Sequence, residues 1–153
     1  MDITILVVNY TATVRRWLAR SGHYLHNPPP GCLFAVGVLD GWHLVGLCLI
    51  GRPAARMLPQ DGTVGEITRM YLEPGLPHGT ASAVLRFAFG AATGRGIGQI
   101  IAYHDRARHS GCIYRKAGMH KAGRVTARPI GWASRDGRKA TASSSKRRWS
   151  ISI

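Results

Sequence analysis

The sequence predicts an α/β (α+β) fold, and three observations carry that prediction. Short β-branched runs alternate with stretches whose apolar residues recur at helical spacing. Asp40-Gly41 separates two apolar runs, a strong signal for an antiparallel hairpin. The chain has 153 residues, 45 % of them hydrophobic, enough for a single domain with a real core.

Residues 3–8 are β-branched and read as a first strand. Thr11 is placed to cap a helix through Val14, Trp17 and Leu18, with Arg15, Arg16 and Arg20 on its other faces, and Ser21-Gly22 ends it. Residues 23–31 form a loop, because Pro28-Pro29-Pro30 excludes both a helix and a central strand. Residues 33–39 and 43–50 are the two arms of the hairpin. After a loop over 51–62 that holds Arg52 and Arg56, residues 64–72 read as a long strand with Glu66, Thr68 and Met70 on one face.

A Pro/Gly turn over 73–79 leads into a helix over 80–93. Thr80 is its expected cap, and Val84, Leu85, Ala88, Phe89 and Ala92 form its apolar stripe. Gly94-Arg95-Gly96 stops that helix. Residues 97–103 form the next strand, 110–117 a short helix ended by Gly118, and 119–127 a last strand or hairpin arm. The order is β-α-β-β-β-α-β-α-β, with residues 1–130 as the folded domain and 131–153 as a basic C-terminal arm.

Charge narrows the partners. There are 21 Lys and Arg against 7 Asp and Glu, a formal net charge of +14. Such a surface attracts polyanions, and nucleic acid is the commonest of these. The excess is uneven: residues 121–153 hold nine basic side chains and one acid, Asp136. Within the arm, Trp132, Arg135, Arg138, Lys146, Arg147, Arg148 and Trp149 interleave aromatics with cations. The cations suit DNA phosphates and the tryptophans suit bases. The competing reading is a C-terminal strand whose tryptophans fill the core.

Cys32, Cys48 and Cys112 lack CxxC spacing, so neither a disulfide framework nor a zinc finger is indicated. Apolar surroundings make buried free thiols the expectation, and with them a reducing compartment such as the cytoplasm. Met1-Asp2 precedes the first apolar run without a basic segment, unlike a signal peptide. No apolar run approaches the ~20 residues of a membrane span.

Three constellations bear on chemistry. Tyr103-His104-Asp105 ends a strand, and Tyr114 follows on a helix nine residues after Asp105. An acid and a phenol so placed can face one cleft and move protons; a helix-capping Asp and a half-buried Tyr are the plainer alternative. Pro77-His78-Gly79-Thr80-Ala81-Ser82 opens a helix directly after a strand, where free N–H groups favour a phosphate. Gly79 would allow close approach there, and Thr80 or Ser82 would add a hydroxyl. His23-Tyr24-Leu25-His26 could hold a metal or move protons, with Asp105 and His104 completing a site if the fold joins them.

The order of elements resembles that of the GNAT acyltransferases. That resemblance implies a mixed, mostly antiparallel central sheet flanked by helices. It also implies an acetyl-CoA or related CoA donor, held by residues 64–72 and by the helix start at Gly79, Thr80 and Ser82. Ile113-Tyr114-Arg115-Lys116-Ala117-Gly118-Met119 resembles the GNAT helix whose Tyr protonates the departing thiolate. The usual Gln/Arg-x-x-Gly-x-Gly/Ala loop is absent, and Leu76-Pro77-His78-Gly79-Thr80 stands in its place.

A closer similarity, over about 22–123, is to the phage Mom family, a divergent GNAT branch. It rests on His23-Tyr24 before a Pro-Gly turn, Leu44-Val45-Gly46 with Gly51-Arg52, Glu66-Ile67-Thr68-Arg69, Tyr103 with Asp105, and His109-Ser110-Gly111 with Tyr114. Lys146-Arg147-Arg148-Trp149 resembles the basic-aromatic end of the relatives. The resemblance implies modification of the exocyclic amino group of adenine in duplex DNA, to a carbamoylmethyl or related derivative that evades restriction. It further implies His23, Tyr24, Asp105 and Tyr114 as active-site residues, and bound iron, with His23 and Asp105 as its ligands. Two other functions compete: a GNAT N-acetyltransferase acting on a small amine or protein, and a non-catalytic DNA-binding protein.

Overall fold

A computed structural model describes residues 1–23, 27–107, 109–125 and 145–153. Among the described residues, seven strands form one sheet. They are β1 (Ile3–Val8), β2 (Phe34–Asp40), β3 (His43–Gly51), β4 (Val64–Leu72), β5 (Gln99–Asp105), β6 (His120–Val125) and β7 (Lys146–Ser152). The strand order across the sheet is β1-β2-β3-β4-β5-β7-β6, and three helices accompany it among the described residues: α1 (Ala12–Arg20), α2 (Thr80–Thr93) and α3 (Cys112–Lys116). Among the described strands only the β4–β5 pair is parallel, so the sheet is mixed and mostly antiparallel, as expected.

Local chemistry explains most of the element ends. Thr11 Oγ1 accepts the Val14 N–H at 3.3 Å and caps α1, an arrangement worth about 1 kcal/mol. Asp40 pairs with His43 across a two-residue turn whose Gly41 has φ +58°. Residue 79 rather than 80 caps α2: Gly79 takes φ +89°, and Thr80 is the first helical residue. Glycine enters that left-handed conformation without the Cβ clash a threonine would meet, so backbone geometry overrides the side-chain preference.

Each face of the sheet has its own core. Val84, Leu85, Ala88, Phe89 and Ala92 of α2 pack on Val36, Cys48, Ile50, Ile100 and Trp149. On the other face Leu18 of α1 meets Ala35, Leu47 and Leu49, with Trp17 and Tyr71 beside them.

The C-terminal segment differs from the expected arm. Lys146–Ser152 is a strand inserted between β5 and β6, and Trp149 is 1 % exposed. The reading of a C-terminal strand with a core tryptophan therefore holds for these residues, and the arm does not. Burying an indole of that size outweighs whatever the strand's cations would gain in solvent. Arg135, Arg138 and Trp132 lie outside the described residues. Of the three cysteines, Cys48 is buried, Cys32 is half-buried and Cys112 is exposed, so burial does not extend to all three. Burial pushes the Cys48 thiol up to about 12, which keeps it protonated and inert. Among the described residues no helix is long and apolar enough to cross a membrane.

Candidate active site

The site begins with a defect in β4. Arg69 pairs with Leu49 and Ile67 with Ile50, which leaves Thr68 as an extra residue opposite β3. A bulge bends its strand and increases the local twist. β4 and β5 are paired from Val64–Gln99 to Ile67–Ala102 and no further, so the strands part at the bulge. The gap opens at the C-terminal ends of two parallel strands, where open sheets place ligands.

Two cavities meet at this gap. The larger, about 470 Å³, is lined by His23, Glu66, Tyr103, Asp105, Tyr114 and Lys146, among others. The smaller, about 260 Å³, lies toward α2 and α3 and is lined by Met70, Leu72, Ala81, Cys112, Ile113 and Tyr114. Met70, His109 and Tyr114 line both, so Tyr114 stands at the junction.

Three of the four expected active-site residues thus share one cleft: His23, Asp105 and Tyr114. Tyr24 lies outside the described residues. Asp105 is 7 % exposed and has a structural task as well, though not the helix capping of the plainer reading, since Gly111 occupies the N-cap of α3. Its Oδ1 accepts the Ala107 N–H at 2.9 Å and its carbonyl accepts the His109 N–H, so it closes the turn after β5. Tyr114 is buried, with its ring stacked on Trp149 at 5.9 Å between centroids and on His104 at 6.2 Å.

His104 faces this aromatic stack instead of joining His23 in the larger cleft. Burial pushes its imidazole below the usual histidine value, and nearby His109, Arg147 and Arg106 add to that against Asp105. It is therefore neutral at pH 7. Trp149 Nε1–H donates to its Nδ1 at 2.7 Å, so the ring's own proton sits on Nε2.

Among the described residues no three His, Cys, Asp or Glu side chains come together to hold a metal ion. The pair His23 and Asp105 shares a cleft, but two ligands do not by themselves make a site for iron.

At the start of α2, nothing lies within 4 Å of where a Gly79 side chain would begin. The Thr80 hydroxyl donates to the Pro77 carbonyl at 2.6 Å, and Ser82 to the Gly79 carbonyl at 3.1 Å. Both hydroxyl protons are thereby committed to backbone. The Thr80 N–H is taken as well, by the Pro77 carbonyl at 3.2 Å, and the Ala83 N–H by the Gly79 carbonyl at 3.0 Å, so what remains for a phosphate is open space at Gly79 and the N–H groups of Ala81 and Ser82.

Glu66 carries more of the site than its sequence setting indicated. It is 8 % exposed, its Oε2 accepts the Ala54 N–H at 2.7 Å, and it lines the larger cleft. Burial raises its pKa above the usual glutamate value, against the Ala54 hydrogen bond and the Lys146 charge. Its place on one face of a long strand was readable, but its burial depends on the loop folded over it. Lys146 lines the same cleft and Arg148 donates to the Ala122 carbonyl at 3.1 Å, so neither sits on a free tail.

Known structures share this architecture. A GNAT-family acetyltransferase from Streptococcus pneumoniae superposes with a TM-score of 0.68 at 12 % identity, covering 99 % of this chain and 100 % of that one. The ribosomal-protein-S18-alanine N-acetyltransferase of Escherichia coli gives 0.65 at 12 % identity, with coverage of 99 % and 94 %. A Bacillus subtilis acetyltransferase in complex with CoA gives 0.64 at 13 % identity, with coverage of 99 % of both chains. At these identities the likeness is one of fold. No curated protein matches the sequence. The profile of the Mom protein family matches residues 4–148, almost the whole chain, and the protein belongs to that family.

Proposed function

We propose that this protein transfers an acyl group from a CoA thioester to the exocyclic amino group of adenine in DNA, the acyl-type form of the modification that the sequence led us to expect. The observation that carries this reading is the meeting of two cavities at Tyr114, one polar and one against α2. Family membership and the net charge of +14 support DNA as the acceptor's setting.

The residues divide by cavity. Open backbone at Gly79 and the first turn of α2 would receive the donor's phosphates, and Met70, Leu72, Ala81 and Ile113 would flank its arm. When bound, CoA supplies the group in activated form, as a thioester. The polar cleft would receive the base.

Glu66 is the best-placed proton acceptor there. A carboxylate destabilised by burial gains by taking a proton, so it suits removal of one from the adenine nitrogen as the new C–N bond forms. Tyr114, at the junction, would supply a proton to the departing thiolate and regain one from solvent, while Glu66 would release the proton it had taken to solvent. Asp105 and His23, which line the same cleft, would orient the base.

Nucleoside mass spectrometry on DNA from cells expressing the protein tests the reading. A new adenine mass that depends on Tyr114 supports it. Unmodified DNA, together with turnover of small amines or protein by acetyl-CoA, would assign the site to an N-acetyltransferase instead.

A further inference from the structure

Two large apolar side chains stand almost wholly in solvent: Trp42, 97 % exposed, and Met57, 96 % exposed. Met57 adjoins the polar cleft. Residues 55–58 form a tight turn closed by the Leu58 N–H on the Ala55 carbonyl at 3.1 Å, with Arg56 and Met57 at its apex. Ala54 and Ala55 line the cleft, so Met57 lies no more than about 7 Å of chain from its wall.

The turn is held firmly. Gln60 Nε2 donates to the carbonyls of Pro53, Ala55 and Leu58 at 2.9, 3.2 and 3.2 Å. The Ala54 N–H ties it to Glu66 at the cleft's floor. Arg52 and Arg56 are exposed on the same loop. An apolar tip on a braced turn, flanked by cations and rooted in the cleft, is not explained by packing, since Met57 packs on almost nothing.

We propose that the 55–58 turn enters the DNA duplex, with Met57 filling the gap that the target adenine leaves and Arg52 and Arg56 on neighbouring phosphates. This rests on the DNA-adenine reading above. A paired adenine shows only the edge of its amino group in the major groove, with one hydrogen held by thymine and both faces of the base covered by neighbours, so the base must rotate out to enter the cleft at Glu66 and Tyr114. Proteins that open a base step commonly insert an apolar wedge, and methionine's unbranched, polarisable side chain suits an irregular gap. Trp42 is the other candidate wedge. It sits beyond His43, and the opposite end of β3 at Gly51, about 26 Å away along the strand, is where the loop begins.

The test compares product on paired and unpaired adenine, using purified protein, a CoA-linked donor and nucleoside mass spectrometry. The substrates are a duplex, its single strand, and the duplex with an abasic site opposite the adenine. Met57→Ala is expected to lose roughly tenfold or more on the paired duplex, and Met57→Leu to keep most of its product there, as a wedge requires. Single-stranded and abasic-facing adenine should restore Met57→Ala to within about twofold of the wild type, because no pair has to be opened. An equal loss on all three substrates would overturn the wedge while leaving the DNA reading intact. So would a duplex-specific loss in Trp42→Ala with Met57→Ala unaffected. Wild-type protein that modifies none of the three would overturn the DNA reading itself, and the wedge with it.

Discussion

The indole N–H of Trp149 donates to Nδ1 of His104 across 2.7 Å, joining β7 to β5 over a sequence separation of 45 residues. Both rings stack on Tyr114. The C-terminal strand therefore sets the position of the phenol at the junction of the two cavities. That contact gives the buried tryptophan a part in the site as well as in the core.

The burial of His104 makes stability depend on acid. His104 is neutral in the fold and its pKa lies below the ordinary 6.5, so the unfolded chain binds more protons near that pH. Its contribution is complete above pH 6.5 and declines as pH falls through the folded value, where a proton would have to displace the Trp149 N–H. Denaturant titration of the wild type should show this slope below pH 6.5. His104→Gln, which keeps an acceptor but does not titrate there, should lack it. Identical pH profiles would mean that other groups govern the acid limb.

Gly111 is expected to be irreplaceable beside the same rings. It takes φ +77°, and an added Cβ would stand 2.7 Å from His104 Cε1 and 2.8 Å from Trp149 Cζ2. Left-handed backbone alone costs an alanine about 1–2 kcal/mol, and shifting two packed rings adds to that. Gly111→Ala should therefore unfold at clearly lower denaturant and change the near-ultraviolet signal of Trp149. A variant within about 0.5 kcal/mol of wild type would contradict this packing.

Tyr114→Phe keeps the ring in its stack and loses the proton. Product should fall by ~100- to 10,000-fold with the fold intact. Glu66→Gln should lower product similarly, and it also bears on stability with a definite sign. Glu66 has a folded pKa above its ordinary 4.5, so its ionisation opposes folding as pH rises through the folded value. Glu66→Gln is thus expected to remove a loss of stability above pH 4.5. Wild-type product in either variant would take that residue out of the chemistry.

The basic residues should separate into two classes. Arg15, Arg16 and Arg20 are exposed on α1, whereas Arg147 and Arg148 are half-buried in β7. Replacing the α1 arginines with Gln should lower the log–log salt slope of DNA binding by about 0.9 for each phosphate no longer neutralised, at unchanged stability. Charge reversal at Arg147 and Arg148 should instead lower the melting temperature. Truncation after residue 130 removes β7, the partner of both β5 and β6, and should abolish folding. A stable, folded truncation product would return the C-terminus to the role of an arm.

What the sequence determined by itself was local. The period of apolar residues placed β4 and α2 at their observed bounds, and Asp40-Gly41 marked the hairpin, because side chains alternate in a strand and recur every 3.6 residues in a helix. The segment from Asp105 to Tyr114 could be read as one side of a cleft or as a capping Asp with a half-buried Tyr, and a strand end followed by a short helix does not by itself choose between them. Tertiary structure alone decided which distant pieces meet. A basic-aromatic segment such as 146–149 reads equally as an arm or as a strand. Its insertion between β5 and β6 follows from the burial of Trp149, which depends on residues far along the chain. Glu66 acquires its raised pKa, and Met57 its place beside the cleft, only when the 52–63 loop folds back over β4. Periodicity is set by neighbours a few residues apart, while burial and charge coupling are set by neighbours in space.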